Sequence, residues 1–350
     1  MTPAPSRPLP PVLAVDLVTD PLLAPDLARR ARALEAAGIG AIVLTDGGLH
    51  PIHAAAHLAP ATSATALIPR ADAVHVEPFH LATQLMSLDH VSGGRAGWLL
   101  TAATDPAVPA AVGREALDAR AAAQEAADVL AVSRLLWDSW TDDAVVRDAD
   151  SGIYVAAARL QYVDFEGATF SVRGPAITPR SPQGQIPVLV ADADREVVGE
   201  AVAGRAADGR ALDVDATGLD SEGIVAAVDA ALRVAGAPTA QIVRLLGLVP
   251  DDRLAATLHD AGTALRGRGL VAPSPSAGQS LRDQLGLTRP KAVIDPARRA
   301  DRARIARGES SLFADRIGPT DQSGPSGPTS PSGSSSPATS DDASILQETR

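Results

Sequence analysis

The sequence predicts an α/β fold whose parallel sheet is wound into a TIM-like (β/α) barrel. Three observations lead there. Short apolar runs suited to buried strands alternate with stretches of helical period, which implies parallel pairing and right-handed crossovers. Their count and order fit a barrel better than a short doubly wound sheet. The chain has 350 residues, 45% of them apolar. That suits one large α/β barrel or two small domains, with enough apolar surface for a sizeable core.

Residues 1–10 are Pro-rich and expected to be irregular; residues 11–317 form the barrel domain. Val12–Val18 reads as a buried strand. Asp26–Ala37 follows as a helix with Leu27, Ala31 and Leu34 on one face and Gly38 as its cap. Ala41–Leu44 is a second strand, closed by Thr45-Asp46-Gly47-Gly48, and Leu58–Leu67 contains a helix end and a third apolar run. Pro78 starts a helix where the missing N–H costs nothing. Leu81, Leu85 and Leu88 give that helix a core face, and Ser92-Gly93-Gly94 ends it before the strand Ala96–Leu100. Glu115–Leu136 is a long Ala-rich helix. The alternation then breaks across 138–185, a turn-rich insertion with short β pieces. It resumes with strand Ile186–Val190, helix Glu196–Ala207, a weak strand Ala211–Val214, helix Gly223–Ala235, strand Ile242–Val249 and helix Arg253–Arg268. Residues 318–350 are dominated by Gly, Pro, Ser and Thr and are expected to be disordered, since they cannot bury enough apolar surface.

Composition excludes several function classes. A net charge of −11, with no basic cluster interleaved with aromatics, argues against nucleic acid. No apolar run of 18 residues is present and the N-terminus lacks a signal-peptide core, so a cytoplasmic location is the default. The absence of cysteine removes thiolate catalysis and Cys-ligated metals. Aromatics are 3%, so Ala, Val and Leu must fill the core; the abundance of Ala and Arg is read as a GC-rich genome.

The wording of Glu77–Trp98, EPFHLATQLMSLDHVSGGRAGW, is far more specific than its secondary structure. Together with LWDSW-x-DDA, GATFSVRGP, TPRSPQGQIPVLV and the block Leu265–Pro290, it resembles the bacterial luciferase-like flavin-dependent monooxygenases. The similarity is to the branch that oxidises nitrilotriacetate, dibenzothiophene sulfone and pristinamycin precursors. The resemblance implies a luciferase-type barrel that binds reduced FMN at its C-terminal mouth and oxidises a small organic substrate with O2. A flavin reductase is the implied partner. Relatives place a further helix, a long segment and an eighth strand after the seventh; here Ile242–Val249 passes almost directly to the last helix. The resemblance therefore implies a barrel incomplete by one strand, and an unclosed barrel exposes an edge that must be covered, hence the expectation of a homodimer.

The resemblance also assigns candidate cofactor-binding residues: Asp46, Thr101, Arg120, Ala193 and Asp194. Asp46 follows the second strand, at the end of the barrel where this fold places chemistry; a turn or N-cap aspartate is the bland alternative. Thr101 ends the fourth strand and could meet a flavin edge, or be an ordinary strand-end threonine. Arg120 stands in the family's Arg-Tyr phosphate pair, but Ala121 replaces the tyrosine. The phosphate turn after the fifth strand reads Ala191-Asp192-Ala193-Asp194-Arg195 where relatives have Gly and Ser. Two like charges at ~4 Å cost several kcal/mol at an effective dielectric near 20. The family's Asn after Trp98 is also absent. The alternative function is therefore a degenerate scaffold with weak or no FMN binding, acting as a binding or partner protein; a flavin-storage dimer is a third class.

Catalytic residues are not assigned. His50, His53 and His57 share helical spacing near Asp46, but Pro51 interrupts them and no HExxH pattern exists, so a solvated helix start is preferred and no metal is assigned; a histidine lining the substrate cavity is the functional alternative. Asp89 and Arg95 are read as structural, Trp98 as core, and Trp137 and Trp140 as anchors of the insertion. Asp142, Asp143, Asp148 and Asp150 are read as a solvated loop.

Overall fold

In the computed structural model, seven parallel strands close into a ring. They are β1 (Val12–Thr19), β2 (Ala41–Asp46), β3 (Ala66–Asp72), β4 (Trp98–Thr101), β5 (Val188–Ala191), β6 (Gly209–Asp215) and β7 (Ala240–Leu246). The structure describes residues 9–102, 105–111, 113–236, 240–249, 251 and 253–293. The expected tail at 318–350 and most of the Pro-rich start lie outside the described residues.

Among the described residues the barrel has no eighth strand, as expected, yet it is not open. β7 pairs directly with β1 from Val12↔Ile242 to Val15↔Leu245. β1 meets β2 on its other side from Ala14↔Ala41 to Thr19↔Asp46. The ring exposes no sheet edge, so the edge argument for a dimer is void.

Closure with seven strands has a packing consequence, because barrel diameter grows with strand number. The narrow interior holds Ala14, Ala41, Ala66, Ala191 and Ala211 beside Val12, Val43, Ile68, Leu99, Leu189 and Ile242. Alanine at these inward positions is thus a structural requirement as well as a compositional habit. The outward parity, including Leu13, Val15, Ile42, Leu44, Trp98, Leu100, Val188, Val190, Val243 and Leu245, packs against the helices.

The outer layer includes α1 (Leu27–Ala36), α2 (Pro51–Leu58), α3 (Pro78–Ser92) and α4 (Ala119–Trp137). α5 (Arg195–Glu200), α6 (Ser221–Ala235) and α7 (Leu254–Gly267) continue it. α3 starts as expected at Pro78, with the Glu77 carboxylate accepting from the N–H groups of Phe79 and His80. It ends on Gly93 at φ 67°, the left-handed cap that only glycine adopts without strain. The helix read over Glu196–Ala207 is different in the structure. It breaks at Gly199, and Ala201–Ala206 continues as a π-helical turn.

The Glu77–Trp98 motif is scaffold. Arg95 is buried, and its guanidinium donates to the carbonyls of Ala59, Thr62, Thr65 and Ser92 and to the Thr62 hydroxyl. Asp89, fully buried, accepts from the Ser181 hydroxyl, the Gln183 side chain and backbone, and the Ala96 N–H. Burial pushes the Asp89 carboxyl up even though all these donors pull it down. The segment between α4 and β5 carries two short antiparallel hairpins, Val145–Asp148 with Ile153–Val155 and Phe165–Glu166 with Ser171–Val172. Trp137 donates to Ala82 at 3.2 Å and Trp140 to Ala176 at 2.7 Å, fastening both ends of its first turn. Asp142 is not simply solvated: Arg180 and Arg289 both grip it.

The C-terminal block closes the lower end of the ring. Ser280 and Asp283 form a capping box on α8 (Leu281–Gln284), and Leu281 packs among Val12, Ile68 and the other interior residues. A Cβ at Gly97 would lie 2.6 Å from Leu281 Cδ2, so glycine is what lets the plug approach.

Candidate active site

The upper end of the interior is ionic. Asp16, Thr45, Arg70, Thr101, Asp213 and Arg244 each stand two residues beyond an inward apolar residue on their strands. They therefore point inward as a layer at the carboxyl ends of the strands, the face where this architecture carries chemistry. Arg244, 6% exposed, places Nε and Nη2 each 2.8 Å from the two oxygens of Asp213, and Nη1 3.3 Å from Asp16. Asp16 also accepts from the Thr45 hydroxyl at 2.8 Å. Burial pushes the Asp16 carboxyl up, with Thr45 and then Arg244 drawing it back.

Arg70 forms the second half of the layer. Its Nη2 lies 2.9 and 3.1 Å from the oxygens of Asp194 and 3.0 Å from the Thr101 hydroxyl. Above Arg70 opens a cleft of about 530 Å³, lined by Thr45, Arg70, Asp72 and Thr101 from the strand ends and His50 and His80 from the helices. Burial pushes the Asp72 carboxyl up against the pull of Arg70. Burial, and then the neighbouring His53, push His50 down, which keeps its imidazole neutral near pH 7. The His50 and His53 rings are 4.7 Å apart, and His53 meets Gln84 at 3.2 Å. Among the described residues no His, Asp and Glu side chains converge as a set of three metal ligands would.

The structure gathers some of the sequence candidates and separates others. Thr101 and Asp46 line the cleft, and Asp194 reaches it through Arg70. The exposed Asp46 carboxylate accepts from the Gly48 N–H, the turn role that was its alternative reading. Ala193 is exposed in the turn after β5, and Arg120 is exposed in the first turn of α4, away from the cleft lining. Sequence reasoning missed Arg70, Asp16, Asp213 and Arg244. Their signal was present: each is a charged residue in the inward phase of an otherwise apolar strand.

The phosphate turn does not match the needs of a flavin phosphate. Asp192 is held by Arg210, whose Nη2 is 2.8 Å from Oδ2, and Asp194 turns inward onto Arg70. Both acidic side chains are therefore paired with Arg210 and Arg70, while Arg195, which follows them, turns away to Glu200 at 3.7 Å and the Ala203 carbonyl at 3.4 Å. α5, which follows, spans only six residues before its break. These residues do not suit a phosphate dianion, although the cleft beside them is large enough for a small aromatic molecule.

Comparison with known proteins agrees with this architecture. The family described as luciferase-like monooxygenase matches residues 10–308. The N-acetyl-S-(2-succino)cysteine monooxygenase of Bacillus subtilis is 35% identical over 42% of this chain and 33% of its own length. The chain thus spans about a third of the length of that curated relative. A pristinamycin IIA synthase component from Streptomyces pristinaespiralis is 33% identical over 76% of this chain and 90% of its own. The structure of EDTA monooxygenase from Chelativorans sp. BNC1 superposes with a TM-score of 0.63 at 18% identity, covering 81% of this chain and 100% of that one. Residues 10–308 and the seven-stranded ring they form establish that the chain belongs to the luciferase-like monooxygenase family.

Proposed function

We propose that the protein is a monooxygenase-type oxidoreductase that takes a small organic substrate into the cleft at the carboxyl-terminal mouth of its barrel. The observation that carries this reading is the cleft itself: about 530 Å³, at the catalytic end, with inward strand-end residues Arg70 and Thr101 at its floor. Its walls carry two ionisable groups that could exchange protons with a ligand, the His50 imidazole, which burial pushes down, and the Asp72 carboxyl, which burial pushes up. Thr101, fixed by Arg70, presents a polar edge to whatever occupies the floor. In this reading a reduced flavin, supplied by a separate reductase, would provide the electrons for O2 activation. Asp46, Thr101 and Asp194 are the sequence candidates that remain next to such a ligand; Arg120 and Ala193 would have to meet it from the rim.

A second reading has its own support. Pairing of Asp192 with Arg210 and of Asp194 with Arg70 fills the family's phosphate niche with internal ion pairs. That favours a scaffold that binds a small molecule without acting on it. Titration of the purified protein with reduced and oxidised flavins, followed by quenching of flavin fluorescence, separates the two. Micromolar binding together with flavin-dependent O2 uptake supports the oxidoreductase. No binding at millimolar flavin leaves the scaffold.

A further inference from the structure

We propose that Asp194 is a built-in occupant of the anion position at the barrel mouth, so that the cleft selects ligands without a phosphate: among flavins, riboflavin over FMN. This inference rests on the flavin reading above and sharpens it. The cation that an incoming anion would seek at the mouth is Arg70, one-third exposed at the floor of the cleft. Asp194 already takes its fork, with Nη2 2.9 Å from Oδ1 and Nε 3.4 Å from Oδ2, a near-bidentate geometry of the kind an arginine gives a phosphate. Asp194 is buried, and the turn carrying it begins directly at the end of β5, so its carboxylate is delivered by the scaffold and not by a mobile loop. The next cation in the layer, Arg244, is committed to Asp213 and Asp16. Asp72 adds a further carboxylate beside Arg70. On the outer side of the turn, Arg210 is taken by Asp192. A phosphate arriving here meets a surplus of negative charge and must displace a carboxylate that costs no association entropy. An uncharged ring system meets neither obstacle.

The test uses the full chain, with inorganic phosphate, FMN and riboflavin as probes. Wild type is expected to bind riboflavin at least as tightly as FMN and to show no shift in melting temperature with phosphate. Asp194→Asn keeps the shape and removes the charge. It should gain a stabilising response to phosphate and bind FMN about tenfold more tightly, while riboflavin changes by less than about twofold. Arg70→Gln added to that variant should cancel both gains. Asp194→Ser serves the same purpose if the amide variant does not fold, and the wild-type comparison needs no variant at all. Wild type binding FMN about tenfold more tightly than riboflavin overturns the proposal, as does an equal phosphate response in wild type and Asp194→Asn. If no variant binds either flavin while Asp194→Asn responds to phosphate, the flavin reading fails and Asp194 stands as the anion's substitute.

Discussion

Arg244→Met removes the one cation between Asp16 and Asp213 and keeps most of the side-chain volume. In the native protein the guanidinium is nearly buried, with two contacts of 2.8 Å to Asp213 and one of 3.3 Å to Asp16. At such distances each attraction is about 5–6 kcal/mol at an effective dielectric near 20. Desolvation of the arginine offsets part of this, and breaking a buried pair by removing one partner costs about 3–5 kcal/mol. The cost should depend on pH. Burial already pushes Asp16 up, and Asp213 repels it; without Arg244 only the Thr45 hydrogen bond and the pull of Arg70 oppose these effects. A carboxyl whose folded pKa lies above its unfolded value makes the folded state hold protons more tightly. Its penalty is therefore present above the folded pKa and disappears as pH falls towards the unfolded value near 4. Urea unfolding should show a loss of about 3–5 kcal/mol at neutral pH and less than about half of that in mildly acidic buffer. Adding Asp213→Leu should recover much of the loss, since an apolar replacement of both partners is often neutral. A loss below about 1 kcal/mol, or one that is the same at both pH values, would show that the layer is solvated and that its inward placement is mistaken.

Two further predictions concern the scaffold. Leu281→Ala should cost about 2–5 kcal/mol by opening a cavity under the ring. Gly97→Ala, whose Cβ would strike Leu281, should be destabilising alone but milder in the Leu281→Ala background, with a coupling of about 1–2 kcal/mol in a thermal or urea double-mutant cycle; strict additivity refutes the plug. The Asp142 carboxyl is held down to about 2, chiefly by hydrogen bonds from Arg289 and then Arg180. Its folded pKa is depressed, so its contribution is present above the unfolded value and is lost as pH falls through about 2. Because the side chain is half exposed, Asp142→Asn should cost only about 1 kcal/mol at neutral pH, read from urea midpoints, and the difference should shrink below pH ~4.

The strands and most helices are legible in the sequence because they are local. Apolar runs such as Ala41–Leu44 admit one reading, and Pro78 and Gly93 punctuate α3 through backbone chemistry that any context preserves. Ring closure is not legible. It depends on Ile242–Leu245 finding Val12–Val15 across the length of the domain, and no local pattern states a register of that kind. The site is hidden for the same reason. Asp16 and Arg244 each look like a blemish in an apolar strand, and only the pairing across 228 residues makes them complementary. Asp194 reads as an unpaired charge in a turn because Arg70 lies 124 residues away. The break in the helix after β5 is equally concealed, since Gly199, innocuous in a helical pattern, takes φ 74° here.

The charged layer and the shortened ring belong to one physical account. A barrel closed by seven strands has a narrower lumen, and its lower layers fill with alanine and a few larger residues. At the upper end Arg244 spans from Asp213 to Asp16 on the two strands paired with its own, and the narrow mouth lets Arg70 reach past β4 to the turn after β5. Charges that a wider mouth would leave for a ligand instead satisfy one another. Arg70→Gln tests this link directly: it leaves the buried Asp194 carboxylate without its cation, so it should cost about 3–5 kcal/mol at neutral pH while the mouth, now more negative, still shows no response to phosphate. If that variant instead collapses the fold, Arg70 is a structural rivet, and ligand selection must be sought among His50, Asp72 and His80 on the cleft wall.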